Sequence, residues 1–253
     1  MNTLATMLCA LPLAALAVAC GEASSHTFGG VVDHLTAPES LRIGLCRDGA
    51  DLELIDDMED QDDTILLSEG RSGEWFSYND QSPGGAQEQA FPSRAFTMKS
   101  VERGTSRWAA QTYGHDFVNW GSGIGCKLKS GKPYDATAYD GITFWSRRSI
   151  EEGTGAPDPA RQIRLGIPDR QTNPLVGECG DHRNCDNNFG APVELSDDWQ
   201  FHLFFWHELG QQWDSGTELA AIDVSQLYQV QFQAGKFDQF DYWIDDLAFL
   251  CKH

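Results

Sequence analysis

The sequence predicts an all-β chain folded as one sandwich or barrel, and three observations predict it. From Cys46 onward, short runs of β-branched and aromatic residues alternate with Gly, Asp, Asn and Pro. No regular helical segments separate these runs, which excludes parallel strands joined by crossover helices. No repeat at a fixed period marks a solenoid or a propeller. A chain of 253 residues with 41% hydrophobic side chains can bury a substantial core as a single domain.

Taken in order, the candidate strands are DLELID, TILL, EWFSYN, RAFTMKS, RWAAQTY, GIGCKL, GITFWSRR, QIRLGIP, QFHLFFW, YQVQFQA and DYWIDDLAFL. The first three belong to Ile55–Asp80, a stretch that joins an acidic knot (Asp56 to Asp63), a short apolar run, a glycine-framed turn and an aromatic strand ending in Asn-Asp. Only Ala220 to Leu227 suggests a helix, of one or two turns.

Side chains alternate between the two faces of a strand, so a period-two reading assigns faces. In GITFWSRR, Ile142 and Phe144 oppose Thr143, Trp145 and Arg147. In QIRLGIP, Ile163, Leu165 and Ile167 oppose Gln162, Arg164 and Gly166; in YQVQFQA, Tyr228, Val230 and Phe232 oppose three glutamines, Gln231 among them. Three strands thus set an apolar core face against a face of Trp, Arg and Gln. Rings stack on the C–H face of a pyranose while amides and guanidinium groups bond its hydroxyls, so this second face suits a sugar. The ligand-binding residues expected are Trp75, Tyr78, Asp80, Trp120, Trp145, Arg147, Arg164 and Gln231. The four aromatic residues among them border Gly-, Ser- and Asn-rich turns or lie opposite aliphatic runs. Trp199 and Trp243 are expected in the core. The bland alternative is an ordinary solvated sheet face.

The formal charge of −20, from 18 basic and 38 acidic residues, repels phosphate backbones, so nucleic acid is not an expected partner. Neutral polysaccharides and divalent cations remain compatible with that field. No catalytic signature is present. His207-Glu208 opens HELGQQ without the second histidine of a zinc-protease helix, and GSGIG at 121–125 is not a nucleophile elbow. The expected activity is non-catalytic binding. A structural surface protein without sugar affinity is the alternative, and a polysaccharide-degrading enzyme a weaker one, since two carboxylates suffice for glycoside hydrolysis.

Residues 1–19 carry no charge, are rich in Leu and Ala, and end in small residues, the pattern of an export signal. The following L-A-V-A-C resembles a bacterial lipobox, which implies lipidation of Cys20, a tether over 20–45, and a domain over 46–253 at the outer membrane or cell surface, otherwise secreted. In an oxidising compartment Cys179 and Cys185, flanking GDHRN, predict a local disulfide, with zinc binding alongside His182 as the alternative. Cys46 and Cys251 stand at the two ends of the domain, where first and last strands of a sandwich meet, and are expected to pair. Cys126 is left as a buried thiol.

IDDMEDQDD with GRSGEWFSYND, YDATAYDGITFWSRR, DDWQFHLFFWHELGQQWDSG and FDYWIDDLAFL together resemble galactose-binding-like jelly rolls, in particular family-eleven carbohydrate-binding modules and the complex I intermediate-associated protein domain. The resemblance spans nearly all of Cys46 to Cys251. It implies a jelly-roll β-sandwich whose concave sheet binds a polysaccharide or oligosaccharide. It also implies structural calcium between the N-terminal segment and the last strand, for which Asp57, Glu59 and Asp245 are the matching oxygen donors.

Overall fold

The computed structural model describes residues 41–89, 95–149, 158–175, 179, 184–216 and 219–253. The expected export signal over 1–19, Cys20, most of the tether and His182 lie outside the described residues. Twelve strands run β1 (Leu52–Asp56), β2 (Trp75–Asn79), β3 (Ala86–Gln87), β4 (Lys99–Arg103), β5 (Ser106–His115), β6 (Ser122–Lys127), β7 (Tyr139–Arg148), β8 (Gln162–Ile167), β9 (Phe189–Glu194), β10 (Gln200–Phe205), β11 (Gln229–Ala234) and β12 (Phe240–Cys251). They form two antiparallel sheets of a jelly-roll sandwich. One has the order β10-β7-β12-β5-β3, with β1 added beside β12 and β4 beside β5; the other is β2-β6-β11-β8-β9.

The sequence placed most strands correctly, and its misses have local causes. Residues 64–67 form only an isolated bridge from Thr64 to Glu74 rather than a strand. The expected helix over 220–227 is a single 3-10 turn, Val224–Gln226, opened by Asp223, whose carboxylate accepts the Ser225 N–H. β9 is absent from the expected strands, and its sequence FGAPVE carries a glycine and a proline. Pro192 is tolerated there because β9 is an edge strand, where a missing N–H breaks no ladder.

Alternation along the five-stranded sheet builds the core. Phe232 pairs with Ile124 on one side and Leu165 on the other, and all three are fully buried with Val230 and Ile163. From the seven-stranded sheet Ile142, Phe144, Ile244 and Phe249 meet them. Tyr242 of β12 crosses the sandwich: its hydroxyl donates to the Phe232 carbonyl at 2.7 Å and accepts the Ile124 N–H at 3.3 Å. One buried hydroxyl thereby ties the two sheets together.

A polar cluster closes the end of the domain where the chain enters and leaves. Arg71 is buried against Glu53 at 2.8 Å, and Glu53 also accepts from the Tyr139 hydroxyl at 2.7 Å and from the Cys46 N–H at 2.9 Å. Such a buried ion pair is tolerable because its remaining acceptor sites are filled. Beside it the Cys46–Cys251 disulfide closes a loop spanning 205 positions, an effect worth about 5 kcal/mol in the chain-entropy description. Cys179 and Cys185 are bonded to each other, which excludes zinc ligation by these thiols, and Cys126 is a buried free thiol.

The acidic knot begins inside the core. Asp56 is wholly buried and accepts the Trp75 indole N–H at 2.6 Å and the Met58 N–H at 3.2 Å. Burial outweighs both bonds and pushes its carboxyl up to about 7 from an ordinary 3.8. The folded chain therefore holds this proton more tightly than the unfolded chain. The associated stability is full below about pH 4 and is lost as pH rises through 7. Denaturant titrations at pH 5 and pH 8 should show the chain more stable at pH 5, with Asp56→Asn reducing the difference; an unchanged difference in that variant would show that other groups cause it.

Candidate functional site

The outer face of the five-stranded sheet carries a groove of about 700 Å³. Its floor follows from the register. One row across the sheet reads Tyr78, Gly123, Gln233, Arg164 and Pro192, and the next reads Phe76, Gly125, Gln231, Gly166 and Gly190. With strands ~4.8 Å apart, five strands span about 19 Å. Glycine in β6 is a steric requirement here. A Cβ on Gly123 would lie 2.1 Å from the Phe232 carbonyl oxygen and 2.7 Å from the Tyr78 hydroxyl, and one on Gly125 would lie 2.5 Å from the Val230 oxygen. Bare backbone at β6 lets the Tyr78 ring lie across the strand.

Two half-exposed tryptophans border the groove, Trp120 and Trp213, at 45% and 44% exposure. Their loops are clamped through backbone. One carboxylate oxygen of Asp80 accepts the N–H groups of Asn119, Trp120 and Gly121, each at 2.9 Å, while the other accepts from Ser82 N–H at 2.9 Å. Burial opposes ionisation of Asp80, but these bonds outweigh it and hold the carboxyl well below the usual range. Trp120 also stacks on Tyr78, with centroids 6.0 Å apart, and its carbonyl accepts from the Gln233 amide at 2.9 Å. On the other side, buried Asn187 accepts the N–H groups of Gln212 and Trp213 at 2.8 and 3.0 Å and donates to the Trp213 carbonyl at 2.8 Å.

Arg164 sits between these borders. It donates to the carbonyls of Asn188 and Gly210 at 3.1 and 2.9 Å, and no carboxylate pairs with it among the described residues. Desolvation therefore lowers its pKa, although arginine stays charged. The Tyr78 hydroxyl and the Asn188 side-chain carbonyl are buried under the floor and make no hydrogen bond among the described residues. Gln231 donates to Gln229 at 2.6 Å and accepts from Asn188 at 3.4 Å, which orients its amide. Asp186, Lys236 and Asp238 also line the groove.

The expected sites divide between two sheets. Tyr78, Trp120, Arg164 and Gln231 meet in the groove. Asp80 lies behind its wall as the clamp for Trp120. Trp75 is not exposed as expected; it is 2% exposed because its indole points inward to Asp56. Trp145 and Arg147 do not share a face with Arg164 and Gln231. They stand on the outer side of the opposite sheet, because β7 pairs with β10 and β12. There Arg103 lies over Trp145 and Trp199 at 4.8 and 5.7 Å, and Arg147 over Trp199 and Trp243 at 5.2 and 5.0 Å. These rings are engaged by the chain's own cations. Trp199 is accordingly half-buried on this outer face, and Trp243, 8% exposed, packs there with Val101 and Ala109 instead of in the main core. Sequence reasoning missed Trp213, Asn188 and Gln233. The Gln233 alternation with Val230 and Phe232 was a usable signal, whereas no local pattern marked the other two.

The three expected calcium donors do not form a cage. Arg103 donates to Asp245 at 2.7 Å and also pairs with Asp246. The Ser106 hydroxyl donates to Asp245 at 2.8 Å and lies 3.1 Å from Glu59, which also accepts the N–H groups of Arg107 and Trp108 at 2.7 and 3.1 Å. Asp57 accepts the Glu59 N–H at 3.3 Å. Arg103 thus supplies positive charge beside Asp245 and Asp246, and Glu59 is engaged in protein hydrogen bonds.

The fold is similar to the solution structure of CtCBM11, a family 11 carbohydrate-binding module, with a TM-score of 0.52 at 14% identity over 81% of this chain and 98% of that one. A family 11 module from Clostridium thermocellum in complex with a β-1,3-1,4-mixed-linked tetrasaccharide gives 0.49 at 13% identity, over 80% and 98%. At this identity the likeness carries the fold. No family model matches the chain, and no curated protein sequence matches it significantly.

Two outcomes check this geometry. The melting temperature should coincide in excess calcium and in EDTA, and a calcium-dependent rise would contradict the role given to Arg103. Arg103→Ala should lower stability by roughly 3 kcal/mol in chemical denaturation, since it strips a largely buried carboxylate of its partner.

Proposed function

We propose that the groove binds a neutral polysaccharide chain and performs no chemistry on it. The observation that carries this reading is the convergence on one glycine-flattened floor of two backbone-clamped tryptophan platforms, an arginine with no carboxylate partner among the described residues, and the Gln231 and Gln233 amides. Indole faces offer stacking area to pyranose C–H groups, while Arg164 and the amides of Gln231 and Gln233 line the groove as polar partners for hydroxyls. The similarity in fold to a family 11 carbohydrate-binding module accords with it. Clamped backbone at Trp120 and Trp213 limits the ordering cost of binding.

The export signal expected over 1–19 and lipidation of Cys20 would put the groove at the cell surface, and the two disulfides suit an oxidising compartment. Loss of metabolic fatty-acid labelling in Cys20→Ala checks the anchor; equal labelling in that variant would refute it.

Affinity electrophoresis through gels containing β-glucans, xylans or mannans tests the binding reading. The protein should be retarded by at least one polymer, and Trp213→Ala should lose about tenfold in affinity, the equivalent of roughly 1.4 kcal/mol. Trp145→Ala should migrate like the unmodified protein. Free migration in every gel would refute the proposal.

A further inference from the structure

We infer that the groove continues past Trp120 onto Phe237, which supplies a further stacking platform used by long glycan chains and not by short ones. This inference rests on the binding reading above.

Phe237 lies in the turn between β11 and β12 and has φ +67. That left-handed conformation is unfavourable for a side chain with a Cβ, and glycine would adopt it freely. The other non-glycine residues with positive φ among the described residues are Met, Gln, Glu and Asp, so Phe237 is the one aromatic. Its ring is not held there by burial, since the residue is 70% exposed. A disfavoured backbone that displays a large apolar ring to solvent points to a use outside the fold.

The turn is built to keep that geometry. The Phe237 N–H donates to the Phe117 carbonyl at 2.7 Å, which ties the turn to the loop carrying Trp120. The Gly235 N–H donates to the Asp238 carboxylate at 3.0 Å. The exposed Lys236 ammonium lies 5.6 Å from the Phe237 ring centroid, a contact that a stacking glycan would displace. Gly235, Lys236 and Asp238, on both sides of Phe237, line the groove together with Trp120, while the Phe237 ring itself stands outside that lining at its edge. Val118, which follows the Phe117 carbonyl that holds the turn, is also 46% exposed.

The test compares Phe237→Gly, Trp120→Ala and the unmodified chain by isothermal titration, using mixed-linked β-1,3-1,4-glucan polymer and its tetrasaccharide, with xylan and mannan pairs in parallel. Glycine relieves the positive φ, so Phe237→Gly should melt at or above the unmodified temperature. It should nevertheless lose several-fold, up to about tenfold, in affinity for the polymer and nothing for the tetrasaccharide. Trp120→Ala should weaken both. Unchanged polymer affinity in Phe237→Gly, with Trp120→Ala still weakened, would overturn this inference and leave the groove standing. Equal losses on polymer and tetrasaccharide would overturn the chain-length dependence. A protein that binds none of these glycans would overturn both readings.

Discussion

A β-strand has two faces, and in the five-stranded sheet both are committed. Burying Ile124, Val230, Phe232, Ile163 and Leu165 leaves no freedom for their neighbours, which must face outward. The groove floor of Gly123, Gln231, Gln233 and Arg164 is therefore set by the same packing that holds the sandwich together. A slip of one residue in β11 would send glutamines into the core and rings into solvent. Core stability and site geometry are in this sense one constraint, and Tyr242, which joins the sheets from the other side, reinforces it.

What the floor lacks is relief, and the loops supply it by a different principle. Trp120 and Trp213 stand half-exposed, so packing alone cannot orient them. Asp80 and Asn187 do so by taking up consecutive backbone N–H groups, a rigid device because each bond fixes main chain rather than a rotamer. The opposite sheet handles its surface differently. Its tryptophans are interleaved with Arg103 and Arg147, and Arg103 is neutralised by Asp245 and Asp246. Similar residue types thus line the groove proposed for recognition on one sheet and serve cohesion on the other.

This contrast explains how much was legible in the sequence. Alternation placed most strands and correctly oriented Arg164, Gln231 and the core residues beside them, because period two is a local signal. It also oriented Trp145 and Arg147 correctly away from the core. It could not tell which sheet each strand joins, since pairing partners are distant in sequence, so one expected face proved to be two. Trp75 was misread because its proximity to a turn suggested exposure, whereas its N–H required the buried acceptor at Asp56. Trp213 and Asn188 come together only through the fold. Arg103, at the junction expected for calcium, shows the same limit: acidic clustering is visible in sequence and the cation that answers it is not.

If the proposed recognition belongs to one sheet, indole N–H chemical shifts test it most directly, since each tryptophan reports separately. During titration with a mixed-linked β-glucan oligosaccharide, or with the best-retarding glycan, the Trp120 and Trp213 resonances should move. Those of Trp145, Trp199 and Trp243 should stay in place. Movement of the latter three with Trp120 and Trp213 unperturbed would contradict the account.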